Sequence, residues 1–314
     1  MKHPDLPIVY SPHYSIPWDP KHRFPMSKYQ RLYELLVAEG LAHRGNVKVP
    51  SPCPRDTLAL AHSLPYIDRF QRGELTEREL KHLGLVWSEP LVRRTVTAVG
   101  GTLLTCRLAL EAGLACHLAG GTHHAFSNRG NGFCVFNDLA VAARYCVEHL
   151  GLNRVLILDC DVHQGDGTAA ILGNEPRCFT CSIHGARNYP FEKQRSDLDV
   201  PLPCGTDDTG YLAALEQTLA QLDQSPLPEL LIYDGGSDVH QEDRLGRMNL
   251  TDRGVIQRDH RVLAWARKRG IPVACVIGGG YDHDHQRLAE RHALLVRTTH
   301  RFYRDYFSQS DFAN

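Results

Sequence analysis

Four short apolar runs in the second half of the chain constrain its fold more than any other feature: Val155–Leu158, Cys178–Ile183, Leu230–Tyr233 and Val273–Ile277. Each is too short for an ordinary helix and ends in polar or glycine-rich residues. A strand with no polar face must be covered on both sides. Helical patterns lie among these runs, around Tyr211–Leu222 and Arg253–Lys268, and a closing helix covers His285–Tyr306. Alternation of this kind predicts an α/β fold, a parallel sheet with helices on both faces.

The first half is less regular. Pro7–Tyr10 reads as a short strand, Ser27–Ala38 as a helix, and Leu58–Phe70 as a helix interrupted near Pro65. Val92–Ala112 is a long, small-residue-rich helix, and Asn137–Leu150 another, opened by Asn137 or Asp138 as its cap. With 314 residues, 42% of them hydrophobic, the chain can bury one large core, and no linker divides it, so one domain over residues 1–314 is expected.

A formal charge of -1 gives no strong signal for nucleic acid or an anionic membrane. No apolar run is long enough to cross a bilayer, and Met1–Asp5 lacks a signal-peptide apolar region. The 10 cysteines are scattered, several of them in core-like runs, and Cys178-Phe-Thr-Cys181 lacks the second pair of a metal knuckle. Buried free thiols and a cytoplasmic location are the expectation.

Open parallel sheets place their sites beyond the carboxyl ends of the strands, and there the chain concentrates its chemistry. The Val155–Leu158 run continues as Asp159-Cys-Asp161-Val-His163-Gln-Gly-Asp166. Asp161 and His163 would face one side if the extended geometry persisted, an oxygen–nitrogen pairing suited to zinc. After Leu230–Tyr233 come Asp234 and Asp238, either of which could return to that pair; the spacing favours Asp238. The tandem His123-His124 lies in a glycine-rich turn, and Asp159 and Asp166 are spare carboxylates able to hold imidazoles. Gly278-Gly279-Gly280-Tyr281 follows the last run without a dinucleotide or phosphate-loop spacing, and reads as a mobile glycine hinge carrying a phenol.

In order and placement, these blocks resemble the histone deacetylase superfamily, and its bacterial branch related to class IV in particular. Tyr10-Ser11-Pro12, His22–Met26, Gly120–Ala125, Gly132–Asp138, Asp159–Gly167, Ser237-Asp238 and Gly278–Tyr281 carry the resemblance. It implies the arginase/deacetylase fold, a three-layer α-β-α sandwich around about eight mainly parallel strands. It implies a zinc-dependent amidohydrolase that removes acyl groups, acetyl foremost, from lysine side chains or similar amines. Asp161, His163 and Asp238 would hold zinc, with iron(II) as the alternative. His124 would be general base and then acid, His123 an electrostatic support, Asp166 and Asp159 their respective orienting carboxylates, and Tyr281 the carbonyl's second electrophile.

The resemblance also places Phe133 and Tyr189 in the walls of a substrate channel; His184, in the same loop as Tyr189, reads equally as a rim residue or as a loop hydrogen bond. The resemblance implies a structural potassium ion at Asp159 and Ser182, with the carbonyls of Asp161, His163 and Ile183. Three other readings stand beside it: an acetylpolyamine or small-amide deacetylase, an arginase-like binuclear hydrolase, and an acyl-lysine binder without chemistry. The oligomeric state is left open.

Overall fold

A computed structural model describes residues 5–306; the stretch 1–4, read above for targeting, lies outside them. One sheet of eight strands runs through it, all neighbouring pairs parallel, in the order β2-β1-β3-β8-β7-β4-β5-β6. The strands are β1 (Ile8–Val9), β2 (Val47–Lys48), β3 (Leu114–His117), β4 (Val155–Asp159), β5 (Cys178–Gly185), β6 (Leu198–Leu202), β7 (Leu230–Asp234) and β8 (Val273–Val276). β3, β4, β7 and β8 are buried along their whole length, as their unbroken apolar runs require.

The helices are α1 (Lys28–Ala38), α2 (Arg55–Leu58), α3 (Leu64–Arg72), α4 (Glu77–Leu83), α5 (Glu89–Ala112), α6 (Asp138–His149), α7 (Asp166–Leu172), α8 (Asp208–Leu222), α9 (Asp252–Lys268) and α10 (His285–Tyr306). α5, α6 and α7 pack together against the strands, while α1, α10, α9 and α8 form a second packed series. The result is the three-layer sandwich expected.

Five elements escaped the sequence reading, each for a physical reason. β2 has only two residues, and β3 follows α5 after the single residue Gly113, whose left-handed φ of 80° caps that helix. β6 contains Pro201, which argues against a strand until β6 proves to be the sheet edge. α4 is short and mostly polar, but its Thr76–Glu79 capping box was a readable signal. α7 begins inside the Asp-rich motif itself. The interrupted Leu58–Phe70 helix is two helices, with Pro65 in the first turn of α3, where a missing N–H costs nothing. Asn137, not Asp138, caps α6 by accepting the Ala140 N–H. Nine of the 10 cysteines are free and buried, and Cys204 is exposed.

Candidate metal-dependent active site

Four adjacent strands, in the order β3, β8, β7 and β4, deliver the chemical residues from their carboxyl ends. The loop after β3 carries His123 and His124, that after β8 carries Tyr281, that after β7 carries Asp238, and that after β4 carries Asp161, His163 and Asp166.

β4 ends at Asp159, so extended alternation is not what aligns Asp161 with His163. Two successive side-chain turns do so instead. Asp159 Oδ1 accepts the Asp161 N–H at 3.0 Å, and Asp161 Oδ1 accepts the His163 N–H at 2.9 Å. His163 Nδ1 then stands 2.9 Å from Asp161 Oδ1 and 3.1 Å from Asp238 Oδ2. Asp238 is held by the Val162 N–H, which donates to its other oxygen at 2.8 Å.

Ligating atoms of Asp161, His163 and Asp238 all fall within 4.8 Å of one another, and the three residues are buried. Burial and the neighbouring Asp161 charge raise Asp238 to about 7. His163 is raised to about 10: burial opposes its charge, but Asp161 and Asp238 outweigh it. Two carboxylates and one imidazole converging in a dry site are a donor set that fits a divalent cation.

A second buried group, His123, Asp159 and Asp234, meets the same distance criterion. Both Asp234 oxygens lack a hydrogen-bond partner in this structure, whereas His123 Nδ1 and Asp159 Oδ2 are already engaged with each other at 2.7 Å. It is Asp238, not Asp234, that stands with Asp161 and His163.

The tandem histidines differ in environment although adjacent in sequence, their ring centroids 4.2 Å apart. His124 Nδ1 faces Asp166 Oδ1 at 2.6 Å, a partner that favours the proton on Nδ1 and a lone pair on Nε2. Burial, then the charge of His123, lowers His124 to about 4, so it is neutral and able to accept a proton at pH 7. His123 goes the other way. Burial opposes its charge, but Asp159 and Asp161 prevail and raise it well above the ordinary imidazole value. Environment thus pushes two identical side chains in opposite directions, one toward the neutral form and one toward the charged form.

Burial, followed by Asp161, raises the Tyr281 phenol well above its usual range, so it keeps its proton and remains a donor. Its glycine turn is not the loose hinge expected. The Gly279 N–H donates to Asp161 Oδ2 at 2.7 Å, and the buried Lys28 ammonium lies 3.4 Å from the Gly278 carbonyl. A Cβ on Gly279 would meet Asp238 Oδ2 at 2.3 Å and Asp161 Oδ2 at 2.4 Å. Glycine is needed there for close approach to the ligands as well as for turning.

Several further residues complete the site, and of these only Asn137 carried a sequence signal, as a helix-cap candidate. Asp243 accepts the Tyr281 N–H at 2.7 Å, and the Arg244 N–H returns a bond to the Tyr281 carbonyl at 3.2 Å. Asn137 donates to the carbonyls of His123 and Ala125 at 3.2 and 3.1 Å, so one side chain caps α6 and holds the histidine loop. Arg258 of α9, fully buried, donates to the carbonyls of Gly235 and Gly236 at 3.0 and 2.7 Å. Only the helical pattern of Arg253–Lys268 was legible; the inward direction of one arginine was not.

Phe133 adopts φ 66°, costly for an aromatic residue, and its ring lies against Gly84, where a Cβ would meet it at 2.9 Å. Tyr189 crosses His124 edge-on, with centroids 4.9 Å apart, and donates to Asn131 Oδ1 at 2.6 Å. Phe133, Tyr189 and Tyr281 line an outer cavity of about 500 Å³ that reaches His124 and His163. Beyond it lies an inner hollow of about 30 Å³, also lined by Phe133 and Tyr281, with Lys28 and Arg94 in its wall. His184 is elsewhere: it is buried, with Nδ1 3.0 Å from Ser182 Oγ, and lines neither cavity. Asp159 and Ser182 are register partners on β4 and β5.

The histone deacetylase domain profile matches residues 22–297. The chain belongs to the histone deacetylase family. Its relatives include an uncharacterized protein of Picosynechococcus sp., 48% identical with 95% of this chain and 99% of that one covered. Histone deacetylase 2 of Arabidopsis thaliana is 31% identical, with 87% and 74% covered. Among solved structures, a histone deacetylase homologue from Aquifex aeolicus superposes with a TM-score of 0.79 at 23% identity, covering 98% of this chain and 90% of that one. This member of the histone deacetylase family therefore has the family's fold together with the buried metal-ligand cluster and paired imidazoles of a metal-dependent hydrolase. Among the described residues, no helix is long and apolar enough to cross a membrane.

Proposed function

We propose that the chain hydrolyses the amide of an acylated lysine side chain, acetyl foremost, and that Asp161, His163 and Asp238 hold the zinc or iron(II) ion that serves it. The observation that carries this reading is the convergence of the ligand cluster, a neutral His124, a charged His123 and a protonated Tyr281 on one pair of connected cavities. A bound dication would supply Lewis acidity to the amide carbonyl and to the attacking water.

The chain's own residues divide the remaining work. His124 Nε2 takes a proton from the water, and the same nitrogen returns one to the departing amine, which must be protonated to leave. Asp166 keeps that ring oriented and its other nitrogen protonated. His123, held by Asp159, and the Tyr281 hydroxyl face the charge that grows on the carbonyl oxygen. Phe133 and Tyr189 bury the methylene chain and keep bulk water from the reacting atoms. Lys28 and Arg94 give a carboxylate product cationic neighbours in the inner hollow.

We read the whole chain as one catalytic unit. The register pairing of Asp159 with Ser182 also supports the potassium ion expected between β4 and β5. A binuclear, arginase-like site has one observation in its favour, the unpartnered Asp234; against it stands the His123–Asp159 bond, which already occupies two of the three donors. Metal analysis separates the readings, with one divalent ion per chain expected here and two for the alternative. The activity test is turnover of acetyl-, hexanoyl- and myristoyl-lysine peptides and acetylpolyamines by metal-loaded protein, with Tyr281→Phe as control. Tyr281-dependent release of acetate is expected; metal-loaded protein inert to the whole panel would overturn the hydrolase reading.

A further inference from the structure

The mouth of the outer cavity carries charge of one sign. Four cations line that mouth: Arg23, Lys81, Arg187 and Arg247. All four are exposed, and among the described residues no carboxylate lies within ion-pair distance of any of them. No aspartate or glutamate lines this cavity. On a chain whose formal charge is only -1, this is a marked segregation of charge.

The cations come from four separate stretches: Arg23 before α1, Lys81 on α4, Arg187 after β5 and Arg247 before α9. They line one opening and do not form a single stripe along one helix. Phe191, 85% exposed, adds an aromatic face at the same mouth and meets Tyr189 edge-on.

We propose that this cationic mouth selects acyl-lysine residues flanked by aspartate or glutamate, so that the substrate is an acidic peptide segment of a protein. The inference rests on the hydrolase reading of the site and names its substrate class. An acetylated polyamine or a lysine-rich tail would bring further positive charge to a mouth that has no carboxylate to receive it. A small anion would be better served by convergent, buried donors, whereas these four exposed groups line a wide opening and suit several carboxylates along a chain. Exposed charges of this kind act through steering and register more than through tight pairing, and salt screens them.

The test compares acetyl-lysine peptides of equal length whose flanking residues are acidic, neutral or basic, with acetylspermidine alongside. It reads kcat/KM of the metal-loaded protein at low and high salt, together with the binding of matching peptides that carry a non-hydrolysable lysine analogue. The acidic peptide is expected to lead the basic one by about tenfold or more at low ionic strength, with the ratio falling toward unity in 0.5 M salt. Arg187→Glu combined with Arg247→Glu should reverse the order. Equal kcat/KM across the series, or a basic preference, overturns the proposal while leaving the hydrolase reading intact. Absence of turnover with the acidic preference still present in binding overturns the hydrolase reading alone, and absence of that preference in binding overturns the inference about the mouth.

Discussion

At the residue scale, the site's chemistry depends on small environmental differences between like groups. Tyr281→Phe removes one donor from the developing oxyanion and is expected to lower kcat about 100- to 1,000-fold with little change in KM, read from steady-state kinetics on a peptide. Asp243 acts through that tyrosine, because it binds the Tyr281 backbone and touches neither cavity. Asp243→Asn should therefore lower kcat, yet add little on a Tyr281→Phe background. A double-mutant cycle in which the two losses simply multiply would show that Asp243 has only a structural role. The roles of His123 and His124 were suggested by their adjacency and by the supply of aspartates. The resemblance implied which carboxylate serves which imidazole, and the structure makes both pairings, His123 with Asp159 and His124 with Asp166, across 36 and 42 residues of chain.

At the scale of elements, the strands supply position and the helices behind them supply rigidity. Arg258 of α9 links its helix to the turn that carries Asp238, and its charge is balanced by the buried Asp259, which also accepts the Tyr233 hydroxyl at 2.6 Å. Arg258→Met leaves that carboxylate unpaired in the core. It should cost about 3–5 kcal/mol in urea denaturation, far more than an exposed arginine would. Asn137→Ala should cost about 1 kcal/mol as a lost helix cap and lower kcat as well, because the same side chain holds the His123 and Ala125 carbonyls. A stability loss with kcat unchanged would assign it to α6 alone. The long helices and buried strands were legible because their hydrophobic periods are strong. β2, β3, β6 and α4 were not, being short, at an edge or, for β3, separated from α5 by the single residue Gly113.

For the whole molecule, metal binding and protonation compete for the same atoms. His163, raised to about 10, must lose its proton to act as a ligand, so metal affinity should fall about tenfold per pH unit as pH drops below that value. Below about 7, Asp238 takes up a proton too and the fall should steepen. Isothermal titration with zinc in buffers from pH 8.5 to 6 checks both sign and slope. An affinity independent of pH would show that neither group gives up a proton on binding. Because an ion held by the native state alone stabilises it by mass action, free metal at about 100 times its Kd should add about 2.7 kcal/mol, and chelation should remove it.

The sequence by itself determined the parallel sheet, its helical covering, and the identity of nearly every group that carries chemistry, because buried strands and strand-end polar residues are written as local patterns. It could not determine how those groups meet. The side-chain turns that align Asp161 with His163, the clamped glycine turn beneath Tyr281 and the removal of His184 from the channel all depend on strand order and on contacts between distant segments. The cationic mouth belongs to the same class: Arg23, Lys81, Arg187 and Arg247 are unremarkable in the sequence, and only folding places their charges at one opening.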